Sequence, residues 1–324
     1  MAHGSGGSAT RDLIEQVFQK AFRNPILDQM NDAAVFHASD GRIAFTTDSY
    51  VVTPLFFKGG DIGKLAVCGT VNDLLMMGAQ PKYLTAGFIL EEGLDLLDLQ
   101  VVVQSMQRAA AEANVQIIAG DTKVIEGHGG LYINTSGIGF LHYVSSISGA
   151  NAQPGDIILM SGSLGNHHAC ILSHRMGIHN QISSDCAPLH HMVYGMLDAG
   201  LDVKVMRDVT RGGLATILNE IAESSSVHIN IKENELPIEL EVKAFCGILG
   251  LDPLYMGNEG KMVCVLGQSD ADQALSIIRS SPYGEQARIV GSVEEGTSGV
   301  TLTTRLGGKR ILDILHGEGL PRIC

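Results

Sequence analysis

Gly149-Ala150-Asn151-Ala152-Gln153-Pro154-Gly155-Asp156 divides this chain in two. Pro-Gly-Asp is strong turn chemistry, because proline presets one backbone angle and glycine supplies the other. Beyond it the pattern restarts, with a strand expected over Ile157–Met160 and a turn at Ser161-Gly162. Before it, apolar spacing predicts a helix carrying Leu13, Ile14, Val17, Phe18, Ala21 and Phe22 on one stripe. A strand follows over 42–47 and ends at Asp48, then a helix from about Asp61 to Met77 and a strand over 82–90. The next helix runs from about Asp95 to Ala113, with Leu96, Leu99, Val103, Met106 and Ala110 at helical spacing. Val115 to Ala119 reads as a short buried strand that runs out into Gly120-Asp121-Thr122-Lys123, and 131–141 as a long strand broken by glycines.

In the second half, helices are expected at 166–175, 189–199, 213–223 and 270–280. Strands are expected at 202–206, 227–231, 261–266, 288–294 and 299–304. Strands and helices mix in both halves without regular βαβ alternation, so the expected class is α+β (mixed α/β) in two domains. The expected division is 1–148, 149–314 and a tail, 315–324.

The bulk numbers exclude several classes. A chain of 324 residues with 45% hydrophobic and 18% charged content is globular and long enough for two cores. Its net charge of −13 argues against nucleic acid or a membrane surface held by a basic face. A nucleotide stays compatible, because magnesium neutralises a polyphosphate locally among acidic side chains. Six cysteines include no CxxC pair, so no zinc knuckle or thioredoxin motif is present. No apolar run approaches the ~18–20 residues of a membrane span. The opening Met1-Ala2-His3-Gly4-Ser5-Gly6-Gly7 is not a signal peptide, and free thiols in a reducing cytoplasm are expected.

Acidic residues recur where strands or loops run out: Asp32, Asp48, Asp121 and Asp208. Asn72-Asp73 instead sits inside an otherwise apolar helix. A cap or turn accounts for any one aspartate, but a carboxylate in apolar surroundings calls for a partner or a metal. Oxygen ligands of this kind suit Mg²⁺. Gly4-Ser5-Gly6-Gly7 and Thr210-Arg211-Gly212-Gly213 each precede a helix, where backbone N–H groups can cradle phosphate or simply form a loop and cap. Neither GxxxxGK[ST] nor a GxGxxG after a strand is present. Lys123 and Glu259 can serve as proton acceptor and relay if a site shifts their pKa values. Read alone, each is a solvated surface charge. The pairs His167-His168 and His190-His191 do not share a helix face, so surface or capping roles are expected. Cys170 and Cys264 sit in apolar runs and read as inert core thiols.

The chain closes on His316-Gly317-Glu318-Gly319-Leu320-Pro321-Arg322-Ile323-Cys324. A thiolate on an arm can visit more than one site as a swinging carrier; the alternative is an incidental terminal residue.

Taken in order, these segments resemble the HypE family of hydrogenase maturation factors, the carbamoyl dehydratases. The resemblance rests on His3-Gly4-Ser5-Gly6-Gly7, Thr46-Thr47-Asp48-Ser49-Tyr50, Asn72-Asp73, Gly120-Asp121-Thr122-Lys123-Val124, Asp208-Val209-Thr210-Arg211-Gly212-Gly213, Asn258-Glu259-Gly260-Lys261 and the terminal Pro321-Arg322-Ile323-Cys324. It spans essentially the whole chain. The wider ATP-using superfamily includes aminoimidazole ribonucleotide synthetase and selenophosphate synthetase. The resemblance implies two α/β domains and a homodimer built on the N-terminal ones. It implies ATP held by Gly6, Gly7, Asp48, Thr70, Asn72, Asp121, Thr122 and Asp208, with Mg²⁺ on Asp32, Asp48, Asp73 and Asp121. It implies that a HypF carbamoyltransferase loads Cys324 with a carboxamide. ATP then drives its dehydration to a thiocyanate with Lys123 and Glu259 handling protons, and the cyanide passes to iron on a HypC–HypD complex. One departure stands out: the family's usual Asp-His-Gly is Asn166-His167-His168 here.

Two other readings compete. A selenophosphate-synthetase-like enzyme would carry a reactive cysteine near the N-terminus, whereas the first cysteine here is Cys68, inside a helix. A metallochaperone using Cys324 would need further soft ligands beside it.

Overall fold

The computed structural model describes residues 27–315 apart from 30, 39–40 and 143–146. The loop with Gly6 and Gly7, the expected helix through Leu13–Phe22, and the tail with Cys324 lie outside the described residues.

The first half is a five-stranded sheet covered by two helices. Its strands are β1 (Ala34–Ala38), β2 (Gly41–Tyr50), β5 (Gln80–Glu91), β6 (Gln116–Ile125) and β7 (Leu131–Leu141), in the order β1-β2-β7-β5-β6. Among the described residues of this half, only β5 and β6 pair in parallel. Two short strands, β3 (Phe56–Phe57) and β4 (Gly60–Asp61), lead into helix α1 (Ile62–Met76). Asp61 starts that helix by accepting hydrogen bonds from Gly63 N at 2.8 Å and Lys64 N at 3.1 Å, which satisfies two otherwise orphaned amides. α1 is buried almost all round because it is sandwiched: β2, β5 and β7 lie beneath it, α2 (Leu96–Glu112) beside it, and the strand β9 (Val203–Asp208) of the second half against it. α2 is amphipathic, turning Val102, Met106, Ala109 and Ala110 inward.

The second half is a seven-stranded sheet built from β8 (Ile157–Met160), β9 (Val203–Asp208), β10 (His228–Lys232), β11 (Met262–Leu266), β12 (Arg288–Glu294), β13 (Gly299–Thr303) and β14 (Lys309–Leu312). Its order is β14-β13-β10-β12-β8-β11-β9, with β10–β13 the one parallel pair. Its helices are α3 (Asn166–Arg175), α4 (His190–Asp198), α5 (Gly213–Ser225), α6 (Leu240–Leu249) and α7 (Ala271–Ser280). Two apolar cores result. One lies under α5; the other runs continuously from beneath α1 into α3, α4 and α7, so the two halves share packed interior.

Mostly antiparallel, mixed sheets agree with the expected class. Four features differ from expectation. Val115–Ala119 is not a short buried strand: β6 runs ten residues, is exposed along its whole length, and takes Asp121 and Lys123 into the sheet rather than into a loop. β7 is continuous through its glycines, because pairing on both sides fixes it. His167, His168 and His190 are buried rather than on the surface, since α3 is covered along its first eight residues and His190 lies on the inner face of α4. β1, α6 and β14 were not anticipated; each is short and carries a weak period. Among the described residues no helix is long and apolar enough to cross a membrane.

Candidate active site at the joint of the two halves

The joint is made by backbone and amide contacts. Asn72, on α1, donates from Nδ2 to Ala187 O at 3.0 Å and accepts at Oδ1 from Leu189 N at 3.0 Å. Both ends of this buried side chain are therefore spent on the domain joint rather than turned toward a nucleotide. Thr70 is also fully buried, and its hydroxyl lies between Tyr50 Oη and Thr135 Oγ1. Gly69 is needed beside it, because any Cβ there would overlap the Tyr50 hydroxyl. Lower down, Arg207 bridges Asp32, at 2.6 Å, and Glu220, at 3.1 Å. Asp32, expected as a metal ligand, is thus engaged by a guanidinium.

Asp48, Asp73, Asp208 and Glu259 converge beside this joint. Alternation along β2 puts Thr46, Asp48 and Tyr50 on the face toward α1. Thr46 Oγ1 donates to Asp73 Oδ2 at 2.9 Å. Asp208 ends β9, which lies against α1. Burial, together with the charges of Asp208, Asp48 and Asp32, pushes the Asp73 carboxyl well above the usual carboxylate range. Burial and Asp32 raise Asp208 to about 8. Burial, then Asp208 and Asp48, raise Glu259 well above its ordinary value. Such mutual elevation marks like charges held close together in a buried site.

Glu259 is held by residues that sequence reasoning passed over. Asp185 accepts from Glu259 N at 3.1 Å and from Asn258 Nδ2 at 2.7 Å. Asn258, fully buried, also donates to Ser163 O and accepts from Gly165 N, each at 3.1 Å. Its backbone N–H donates to Val209 O at 2.8 Å. One asparagine thereby ties the Ser161–Gly165 turn, the loop after Asp208 and the 185–187 segment to the Glu259 loop. Asp185 could not have been found by spacing, since it sits in an irregular stretch with no periodic signal.

Asp121 and Lys123 lie elsewhere in one chain. They pair with each other at 2.6 Å and are 70% and 67% exposed. Asp121 stands opposite Gly87, which stands opposite Asn134 and then Ser49, all on the face away from α1. Three strand spacings, about 14 Å, separate its row from β2. The four aspartates expected on one metal are therefore not brought together, and Lys123 does not meet Glu259 within a protomer.

No group of three His, Cys, Asp or Glu side chains forms a closed metal cage among the described residues. The donor set nevertheless fits Mg²⁺, which takes one or two carboxylates and completes its shell with phosphate oxygens and water.

Both halves match family models. AIR synthase related protein, N-terminal domain, matches residues 30–141, and AIR synthase related protein, C-terminal domain, matches 153–303. Fold and joint together define an AIR-synthase-related protein. The carbamoyl dehydratase HypE of Cupriavidus necator is 50% identical over 330 residues, covering all of this chain and 94% of that protein. A crystal structure of a HypE–HypF complex superposes with a TM-score of 0.89 at 48% identity, covering 94% of this chain and 99% of that one. HypE in complex with ATP superposes at 0.85 and 48% identity, covering 99% and 98%. The chain belongs to the carbamoyl dehydratase HypE family, and the selenophosphate-synthetase alternative falls away.

Proposed function

We propose that this protein dehydrates a carboxamide carried on Cys324 to a thiocyanate at the expense of ATP, for hydrogenase maturation. The observation that carries the reading is the convergence of Asp48, Asp73, Asp208 and Glu259 at the domain joint of a HypE-family chain. The proposed division is an ATP-binding and dimerisation domain (1–148), a second α/β domain (149–314) and a carrier tail (315–324).

The chemistry asks for three things. An amide oxygen leaves poorly, so it is first phosphorylated by ATP, giving ADP and an S-bound imidate phosphate. One N–H proton leaves as that imidate forms; loss of phosphate and of the remaining N–H proton then leaves S–C≡N. One or two carboxylates among Asp48, Asp73 and Asp208 would hold Mg²⁺, which when bound neutralises phosphate charge. Glu259, held at the joint, takes a proton from nitrogen. The packed joint excludes water that would otherwise hydrolyse the activated amide.

The tail can reach. Tyr255 Oη donates to Asp313 O at 2.9 Å, so the chain leaves the body beside the loop that leads to Glu259. The nine residues after Leu315 span at most about 30 Å.

Lys123 and Asp121 enter through a second copy. β6 is an exposed edge with Ile117, Ile118, Val124 and Ile125 open to solvent, a surface expected to be covered. A homodimer on this edge brings one protomer's Lys123 toward its partner's joint. HypF is the proposed loading partner, a HypC–HypD complex the acceptor, and the cytoplasm the compartment.

The test is intact mass after incubation with HypF, carbamoyl phosphate and ATP. One HNCO added at Cys324, followed by magnesium- and ATP-dependent loss of one water, is expected. Loading without water loss would reduce the protein to a carboxamide carrier.

A further inference from the structure

The hairpin that precedes the tail carries features the dehydration does not use. β14 is the outermost strand of its sheet and pairs, among the described residues, with β13 alone. The turn between them is tight, with Thr304 N donating to Gly308 O at 2.8 Å and Gly307 N to Thr304 O at 2.9 Å. The hairpin is anchored from below by Leu312, 1% exposed in the core under α5, and by Asn219, whose Nδ2 donates to Leu312 O at 3.0 Å. Yet Leu306 at its tip is 99% exposed and Ile311 on its edge 82%. Around them stand Arg305, Lys309 and Arg310, a basic cluster on a protein of net charge −13. Arg305 is oriented by Glu233 at 3.7 Å and Arg310 by Asp252 at 2.9 Å.

An edge strand that only guards against aggregation carries charge at its outward positions. Lys309 fits that role; a bare Ile311 two residues on, and a bare Leu306, do not.

Tail length narrows the occupant. Whatever loads Cys324 must bring its reacting carbon within about 30 Å of Leu315, and part of that length is spent entering a concave site. The loading enzyme must therefore touch the body close to where the tail leaves it, and this hairpin is three residues upstream of that point. We infer that the Thr303–Leu312 hairpin is the docking strand for the enzyme that loads Cys324. That partner adds an extended segment to the β14 edge, takes Leu306 and Ile311 into apolar pockets, and sets acidic side chains against Lys309 and its neighbours. Edge pairing fixes the geometry, and the basic cluster speeds encounter. The inference rests on the carrier role of Cys324 proposed above.

The experiment uses the full chain, with Leu306→Ser combined with Ile311→Thr, both at positions too exposed to disturb folding. Tail loading is followed by intact mass against increasing concentrations of purified HypF with carbamoyl phosphate and ATP. The expected result is a rise of at least tenfold in the half-saturating HypF concentration with the maximal rate retained. Adding Lys309→Glu should raise it further. In parallel, cyanate loads the tail without a partner, since HNCO adds across the S–H bond to give the same carboxamide. The cyanate-loaded variant should then lose water with ATP as the unaltered protein does. An unchanged half-saturating concentration overturns the inference, as does a change in self-association that would assign the hairpin to a second copy. Failure of cyanate-loaded, unaltered protein to lose water overturns the dehydratase reading instead and leaves the loading result standing. No HypF-dependent loading of the unaltered protein overturns the inference and leaves the dehydratase reading to the cyanate arm.

Discussion

Asn258 Nδ2 donates to Asp185 Oδ2 at 2.7 Å, and Asp185 in turn receives the backbone N–H of Glu259 at 3.1 Å. The carboxylate at the joint is thus held through a neighbour from an irregular segment. Asp185→Ala should lower kcat on the order of 10²-fold while nucleotide affinity changes little, because small displacements of a base are costly. Single-turnover water loss alongside nucleotide titration checks this. Equal losses in both would show that Asp185 supports the whole fold rather than the position of Glu259.

Gly260 packs so closely on segment 185–187 that any Cβ would overlap the Asp185 carbonyl oxygen. The obstacle is backbone and cannot rotate away. Gly260→Ala should lower both Tm and dehydration rate, even though it leaves every charged group in place. A variant with unaltered turnover would show that the 185–187 segment moves freely during the reaction.

Asn72→Ala removes the clamp between α1 and the second half and leaves Ala187 O and Leu189 N buried without partners. The expected loss is about 3 kcal/mol. Urea unfolding measures it as a lower midpoint; a loss below about 0.5 kcal/mol would mean that water replaces the amide.

His167 is fully buried, with Nδ1 2.8 Å from Ser184 Oγ and its ring edge-on to Phe57. Burial pushes its pKa down to about 3. The unfolded chain, with an ordinary histidine near 6.5, therefore binds the extra proton first. Stability from this group is fully present above about pH 6.5 and is lost progressively as pH falls toward 3. His167→Gln should flatten the dependence of unfolding free energy on pH between about 6.5 and 4. An identical slope in the variant would place the acid sensitivity elsewhere.

Lys123 and Glu259 meet only if two protomers share a site. Lys123→Ala and Glu259→Gln should each cut turnover by at least about 10²-fold. Mixing the two, with subunit exchange, should restore activity through dimers holding one intact pair. Absence of any recovery in mass-verified mixed dimers would return both residues to one protomer.

Several elements were legible from local order alone. Asp61 followed by an apolar run marks the start of α1, and Pro154-Gly155-Asp156 marks the break between halves, because caps and turns are decided by neighbours in the chain. The motif residues Asp48, Asp73, Asp208 and Glu259 were legible as types, although their spacing did not show that they meet. β6 was misjudged because an apolar run reads the same whether it lies in a core or on an exposed sheet edge. The buried histidines were misjudged because adjacency along a helix does not tell which positions its neighbours cover: α3 is covered along its first eight residues, and His190 lies on the inner face of α4.

By itself the sequence determined the two halves, their mixed class, the acidic set and a terminal thiol, all consequences of residue type and near-neighbour spacing. Only the tertiary structure decided that Asn72 belongs to the joint, that Asp32 is taken by Arg207, that Asp185 holds Glu259, and that Asp121 and Lys123 face away from them. Those assignments depend on which strands lie side by side and on which face each residue projects. Sheet order is set by long-range pairing and packing, about which a strand's own residues carry little information.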